Sequence, residues 1–106
     1  MPRVTPQLRR QWPRCAMRTI KFSGAFRKDW KKLARETTLA QELEVLLRML
    51  AAEVKLPGKY RDHPLKGKKG NLRDCHLRPD VVVIYEKAGG ELGMRRIGSH
   101  AEIFGN

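Results

Sequence analysis

The fold is decided by residues 72–99, LRDCHLRPDVVVIYEKAGGELGMRRIGS. The stretch begins with alternating apolar and polar residues over 72–77, the pattern of a strand with one buried face. A β-branched run, VVVIYEK, covers 81–87. A third strand-like segment covers 92–99, beyond the pair Gly89-Gly90, which is typical of a hairpin turn. Three consecutive strands joined by short turns predict a mostly antiparallel sheet.

Two amphipathic helices are predicted upstream of this sheet. The first begins after an N-cap at Ser23 and ends near Glu36, because its apolar residues recur at the i, i+4 and i+7 spacing of one helical face. Those residues are Phe26, Trp30 and Leu33. Thr37 and Thr38 can break the chain and cap a second helix, in which apolar residues recur with a 3.6-residue period over 39–54. The short connection predicts an antiparallel helical hairpin.

A short half-buried strand, TIKF at 19–22, precedes the helices. The order strand, helix, helix, strand, strand, strand predicts an α+β fold. In this fold the helical hairpin packs on one face of a mostly antiparallel four-stranded sheet. The other face is left available for a site. Because side chains alternate along a strand, Asp74 and His76 are expected on the face opposite Cys75.

The chain of 106 residues has the length of one domain. Residues 1–17 contain three prolines and show neither helical nor alternating periodicity. They are therefore predicted to form a flexible basic arm, followed by the domain at 18–106. Met17 directly precedes the first patterned segment, so a native start at Met17 is an open alternative.

The chain is strongly basic. Its 23 Lys and Arg residues against 11 Asp and Glu residues give a formal net charge of +12. Five of the basic residues precede residue 19, where no acid occurs, and the remainder still has 18 basic against 11 acidic residues, a net of +7. Such a surface favours a polyanionic partner. The alternative is that lysine-rich segments only keep the protein in solution.

Several classes of protein are disfavoured by the composition. Cys15 and Cys75 form no Cys-x-x-Cys pair, so a disulfide framework is not expected and a reducing, cytoplasmic location fits best. The longest apolar run, Val81–Tyr85, is far below the roughly 20 residues of a membrane helix, and no secretory signal is expected. The three histidines and Cys75 lack the spacing of a zinc site. No metal or other cofactor is therefore expected.

Candidate chemistry concentrates in residues 60–80, YRDHPLKGKKGNLRDCHLRPD, which hold two histidines, three aspartates and six basic residues. Much of this segment is a glycine- and proline-rich connector, and long connectors in compact domains are often functional. With His100, the segment supplies three imidazoles suited to proton transfer near neutral pH. Metal-free RNA cleavage needs a base for the 2′-hydroxyl, an acid for the 5′-oxygen and a cation for the charge on phosphorus. Histidine, aspartate and arginine can meet these needs.

The chain resembles the YafQ-type toxins of the RelE/ParE superfamily over residues 19–105. The resemblance rests on four segments in the family's order: KYRDHPLKG, RDCHLRPD, VVVIYE and RRIGSHAEIFG. It implies a RelE-like fold and a ribosome-dependent endoribonuclease that enters the ribosomal A site. Such toxins cut mRNA by 2′-hydroxyl attack, without a metal, and leave a 2′,3′-cyclic phosphate and a 5′-hydroxyl.

The resemblance also implies site residues. By motif match, the positions marked as functional are His63, His76, Asp80, Arg96, His100 and Phe104. His100 would be the general acid, and His63, assisted by Asp80, the candidate base. Arg96 would stabilise the developing charge on phosphorus.

The remaining expected contacts are with the RNA. His76 would orient the phosphate and Phe104 would pack against a base or hold the C-terminal turn. Further substrate-binding charges are expected at Lys66, Lys68, Lys69 and Arg73. Where the family often has aromatic residues, this chain has Lys69, Leu72 and Val81, which implies weaker base stacking or a different codon preference.

Simpler interpretations of three residues remain open. Asp74 could form a salt bridge with Arg73 or Arg95, and Asp62 could cap its loop. Phe104 could be a core residue rather than a stacking platform. Each of these interpretations needs only local structure.

The resemblance implies a cognate antitoxin as partner, in addition to mRNA and the ribosome. An acidic or amphipathic antitoxin segment would cover a basic active face. The competing hypothesis is a protein of the same fold that only binds a partner, directed at gyrase or associated with the ribosome. That branch of the superfamily generally lacks the histidine set.

Overall fold

The computed structural model describes residues 18–33, 35–65 and 71–105. Its helices are α1, Gly24–Leu33, α2, Thr37–Ala51, and α3, His100–Phe104. Its strands are β1, Thr19–Phe22, β2, His63–Pro64, β3, Leu72–Arg78, β4, Val81–Ala88, and β5, Glu91–Gly98, with a 3₁₀ turn, Gly58–Tyr60, before β2. No helix in these ranges is long and apolar enough to cross a membrane. The predicted arm, residues 1–17, lies outside the described residues.

The strands form one sheet in the order β1-β5-β4-β3-β2, in which β1 runs parallel to β5 and the other neighbours are antiparallel. The predicted α+β architecture is confirmed, but the sheet has five strands instead of four. The additional strand is β2, which lies within the predicted connector and pairs with β3. A two-residue strand has no alternation to read, because periodicity needs several residues.

The helices share one hydrophobic core with one face of the sheet. From the helices it contains Phe26, Trp30, Leu39, Leu43, Leu46, Leu47 and Leu50. From the strands it contains Cys75, Leu77, Val81, Val83, Tyr85, Leu92, Met94 and Ile97. Burial raises the pKa of the Cys75 thiol, so this cysteine is inert. Each fully buried large side chain contributes roughly 1.5–3 kcal/mol, which makes this layer the main source of stability.

The helix termini predicted from the sequence are confirmed only in part. The Ser23 Oγ atom accepts a hydrogen bond from the Phe26 backbone N–H at 3.0 Å, as expected of an N-cap. However, α1 ends at Leu33 instead of near Glu36. The N-cap of α2 is Glu36, which makes no side-chain capping bond, so the predicted threonine cap is wrong. The Glu36 carboxylate instead accepts a hydrogen bond from Arg78 at 2.7 Å, a contact between distant residues that local pattern does not reveal.

The outer edge of β5 is closed by α1 once β1 ends. The backbone pairing with β1 stops at Met94, whose carbonyl accepts from the Ser23 N–H. The Ser23 hydroxyl then donates to the Arg95 carbonyl at 2.8 Å, and the Asp29 carboxylate accepts from the Ile97 N–H at 3.1 Å. These contacts satisfy an edge that would otherwise be open to solvent or to another strand.

Two neighbouring positions on α2 provide a test of the core. Leu46 is fully buried, whereas 49% of Val45 is exposed. We expect Leu46→Ala to lower the free energy of unfolding by about 2 to 5 kcal/mol, because it leaves a cavity. We expect Val45→Ala to change it by about 0.5 kcal/mol or less. Urea denaturation of both variants measures the difference, and equal losses would contradict the described orientation of α2.

Candidate active site

Strand pairing brings the candidate residues onto one face of the sheet, opposite the shared core. We call this surface the active face. In one cross-strand row, His63 pairs with Asp74, Asp74 with Ile84, and Ile84 with Arg96. In the next row, His76 pairs with Val82, and Val82 pairs with Gly98. Two residues after Gly98, His100 begins α3, which lies against β4 and β5. Residues from distant parts of the chain therefore meet on this face.

The buried carboxylate of Asp74 lies at the centre of this arrangement. Only 5% of Asp74 is exposed, and its Oδ1 lies 2.7 Å from Nε2 of His63. Oδ1 makes no hydrogen bond among the described residues, so the contact with His63 is an electrostatic one. Burial raises the pKa of Asp74, while His63, His76 and His100 each lower it. All three histidines are thus within electrostatic reach of one carboxylate.

The sequence interpretation missed the role of Asp74. The suggested salt bridge with Arg73 or Arg95 is wrong, since Arg73 binds Asp62 and Arg95 binds Glu86. One sequence signal could have found it: alternation along β3 places Asp74 on the face of His76, away from the core. Burial of an aspartate without a partner costs free energy, so an aspartate on a half-buried strand, two residues from a histidine, is a candidate functional residue.

His63 lies in β2, the strand at the outer edge of the sheet. Its side chain is about half exposed, and its Nδ1 lies 3.0 Å from the Pro64 carbonyl oxygen. The preceding residue, Asp62, accepts hydrogen bonds from the Tyr85 hydroxyl and from Nε and Nη2 of Arg73, at 3.2 Å and 3.3 Å for the arginine. Arg73, expected to bind substrate, is therefore engaged within the protein. Among the described residues, the Asp62 side chain binds these two residues instead of capping its own loop.

Arg96 is a fixed cation. Its Nε and Nη2 atoms donate to the Asp29 carboxylate at 2.6 Å and 3.2 Å, and this interaction raises the pKa of Arg96. Asp29, on α1, was also missed by sequence reasoning. The available signal was a lone acid on the basic face of that helix. One edge of the guanidinium is occupied, and Nη1 makes no hydrogen bond within the described part of the chain.

A capping box sets the start of α3 and hence the position of His100. The Ser99 hydroxyl accepts from the Glu102 N–H, and the Glu102 carboxylate accepts from the Ser99 N–H, both at 3.1 Å. These bonds lower the pKa of Glu102. The Phe104 ring lies 4.6 Å from the His100 ring, between centroids, at an interplanar angle of 47°. Phe104 thus packs on His100 and is not part of the core cluster.

Asp80 occupies the exposed turn between β3 and β4. Of the eleven acidic side chains, it alone makes no ion pair or hydrogen bond to another described residue. The structure brings it to the end of the strand that carries His76, without a direct contact to a histidine. Val81, next in the chain, belongs to the core. The candidate RNA contacts Lys66, Lys68 and Lys69 lie outside the described residues.

An open groove of about 740 Å³ adjoins His76. It runs between α2 and the 3₁₀ turn, and its lining includes Val45, Lys59, Tyr60, Arg61, His76 and Arg78. Glu36 and Glu42 hold Arg78 from α2, so one wall is fixed by ion pairs. The groove combines the apolar side chain of Val45 with three cations, whereas the Tyr60 ring is buried in the core.

The sequence and the fold both match known proteins. The family model described as "Bacterial toxin of type II toxin-antitoxin system, YafQ" matches residues 18–105. The mRNA interferase toxin YafQ of Escherichia coli K12 is 36% identical over 89 residues, which are 83% of this chain and 97% of that protein. The chain belongs to the YafQ toxin family.

Solved structures of bacterial toxins agree with this assignment. A chain of the E. coli DinJ–YafQ complex has a TM-score of 0.75 and 35% identity, with coverage of 82% of this chain and 98% of that one. The metal-bound toxin from Helicobacter pylori has a TM-score of 0.79 and 40% identity, with coverage of 83% and 100%. The expected RelE-like fold is confirmed. Among the described residues, no three His, Cys, Asp or Glu side chains are grouped so that they could hold a metal ion.

The buried Asp74 of this YafQ-family toxin should cost stability. Because its pKa is raised above the ordinary 3.8, the folded state retains a proton that the unfolded chain releases above that pH. The free energy of unfolding therefore falls as the pH rises through the window above 3.8. Asp74→Asn removes this loss, and we expect it to be the more stable protein at pH 7, with the advantage shrinking toward pH 3.8.

Urea denaturation across this pH range measures the effect. Glu44→Gln, the same chemical change at an exposed ion pair on α2, is the matched control. If the Asp74→Asn variant has no stability advantage at pH 7, or if its advantage grows on acidification, the destabilising burial of the Asp74 carboxylate is contradicted.

Proposed function

We propose that this toxin is a ribosome-dependent, metal-independent endoribonuclease that cleaves mRNA in the ribosomal A site and so inhibits translation. The observation that carries the proposal is the 2.7 Å contact of His63 with the buried Asp74, on the sheet face that also carries the other candidate histidines and Arg96. Protein side chains alone then supply a base, an acid and a cation. The E. coli relative, named an mRNA interferase, supports the same reaction class.

In the proposed reaction, His63 takes the proton of the 2′-hydroxyl, and the 2′-oxygen forms a bond to the adjacent phosphorus. The bond from phosphorus to the 5′-oxygen breaks, and His100 donates a proton to that oxygen. The products are a 2′,3′-cyclic phosphate and a 5′-hydroxyl. The buried charge of Asp74 favours the protonated imidazole that His63 becomes. Asp80, the acid left without a described partner, is available to assist the base from the turn.

Two further roles concern the phosphate: Arg96 stabilises the charge that develops on phosphorus, and His76 orients the phosphate group. The bond from Asp29 holds the guanidinium in one orientation, so little reorganisation is needed when the charge forms. His76 lies on the same face as Asp74 and would orient the phosphate. Phe104 would set the His100 ring by packing on it, and its exposed part would contact a base.

Binding of RNA is assigned to the basic surface and to the groove beside His76. The predicted loop lysines, Lys66, Lys68 and Lys69, would add sequence-independent phosphate contacts. The proposed protein partner is a cognate antitoxin, by analogy with the E. coli relative, which was crystallised as a DinJ–YafQ complex. Nearly all acids are used in contacts within the protein, which leaves basic charge free for an acidic antitoxin segment.

Replacement of His100 tests the catalytic proposal. We expect His100→Ala to lower the rate of mRNA cleavage on ribosomes by about 100-fold to 10,000-fold, because it removes the proton donor. Primer extension on mRNA from expressing cells measures the cuts, and growth arrest measures the outcome. Glu44→Gln, remote and exposed, should cut like the parent protein.

The two candidate functions give different results in this experiment. A non-catalytic binding protein would arrest growth without ribosome-dependent cuts, and His100→Ala would be as toxic as the parent. Cuts that persist unchanged in His100→Ala would instead require a different proton donor. Either result would overturn the assignment of His100.

A further inference from the structure

We infer that Asp62 is a positioning residue for His63, through a set of contacts with Arg73 and Tyr85 that we call the Asp62 clamp. These contacts join the start of β2 to the neighbouring strands on the core side of the sheet, and thereby hold His63 in place on the active face. Its catalytic consequence rests on the function proposed above. Its structural consequence does not, and can be measured separately.

The need for a clamp follows from the weakness of β2. The strand has two residues, at the outer edge of the sheet. One of them is Pro64, which has no backbone N–H to donate. Beyond the strand, the Leu65 N–H donates to the Leu72 carbonyl at 3.0 Å. So few backbone bonds would let an edge strand open locally, and the His63 imidazole would move with it.

The geometry of the clamp uses the alternation of side chains along β2. His63 points toward Asp74 on the active face, so Asp62 and Pro64 point to the other side. On that side, Pro64 is paired with Arg73, and Arg73 is paired with Tyr85. The Asp62 carboxylate accepts hydrogen bonds from both of these side chains. A single carboxylate thus links β2 to the next two strands.

The Tyr85 hydroxyl gives the clamp its rigidity. Tyr85 is fully buried, and a buried hydroxyl needs a hydrogen-bond partner. Burial raises the pKa of Tyr85, and the bond to Asp62 raises it further, so the phenol stays a donor. The bond to Asp62 also raises the pKa of Arg73, so that side chain stays a cation. Asp62 therefore faces two donors that hold their protonation state.

The backbone before Asp62 is also constrained. Arg61 has a φ of 49° and a ψ of 44°, a left-handed conformation that is uncommon for a residue other than glycine. It follows the 3₁₀ turn, where the Arg61 N–H donates to the Gly58 carbonyl at 3.1 Å and Tyr60 is buried. The turn and the clamp together hold this conformation from both sides. As a result, the backbone that leads into His63 is held in one conformation.

Amide hydrogen exchange and NMR test the structural part of the inference. In Asp62→Ala we expect exchange at the Leu65 amide to accelerate by about tenfold or more relative to amides of β4, since β2 opens locally. We also expect the NOE contacts between the His63 ring and Asp74 to weaken. Tyr85→Phe, which keeps the ring volume and removes the hydroxyl, should shift both readouts in the same direction.

A matched control is Glu44→Gln, which removes an exposed carboxylate from α2 and should change neither readout. Asp62→Ala with parent-like Leu65 exchange and an unchanged His63–Asp74 contact would overturn the clamp. If Asp62→Ala is unfolded, Tyr85→Phe decides the question by the same criteria.

A double-mutant cycle tests the catalytic part on programmed ribosomes. We expect Asp62→Ala to lower kcat by about the same factor as His63→Ala, with KM little changed, and the double variant to be no slower than His63→Ala alone. Loss of folded protein would instead lower activity equally in both backgrounds. Additive losses would overturn the positioning role. If the parent does not cleave, the proposed function fails, and the exchange measurements still decide whether the clamp exists.

Discussion

The packing of one apolar face of β3, β4 and β5 against the two long helices sets the register of the sheet and, through it, the position of the candidate site. Because Cys75, Val83 and Ile97 must all lie in that layer, the register of the three strands has no freedom to slip. The opposite face is then set as well. Asp74 and His76 have to lie on it, together with the end of β5 that leads into His100. The active face is thus a consequence of the core.

An aspartate fixes the chain toward each side of the sheet. At the β5 edge, Asp29 accepts a backbone N–H and holds Arg96; at the β2 edge, Asp62 accepts from Arg73 and Tyr85. Asp29 satisfies a backbone N–H of β5 that β1 does not reach, Asp62 satisfies a buried hydroxyl, and both adjoin a residue of the proposed site. Stability and positioning therefore depend on the same contacts. The buried Asp74 differs, because it costs stability and its charge acts on the histidines.

How much could be predicted differs between the fold and the site. The order of elements, the Ser23 cap and the strands around Gly89-Gly90 follow from periodicity and turn chemistry, which act over a few residues. Local patterns do not predict β2 or the true start of α2, because each depends on a partner that is distant in the chain. β2 pairs with β3 at Asp74, and the residue before α2, Glu36, binds Arg78. The histidines were recognisable by residue type and motif. Asp29, Asp62 and Asp74 were not assigned these roles, because a strand or helix pattern indicates the face on which a side chain lies but not its partner.

By itself, the sequence determined the fold class, the single core, the excess of basic charge and the residue types available for chemistry. These properties follow from local periodicity and from composition, and both can be read along the chain. Only the tertiary structure decided which acid pairs with which base: Asp62 with Arg73 and Tyr85, Asp29 with Arg96, and Asp74 with no arginine but beside His63. The physical reason is that electrostatic and hydrogen-bond partners are selected by distance in space. That distance is set by strand register and packing, which join residues up to about seventy positions apart.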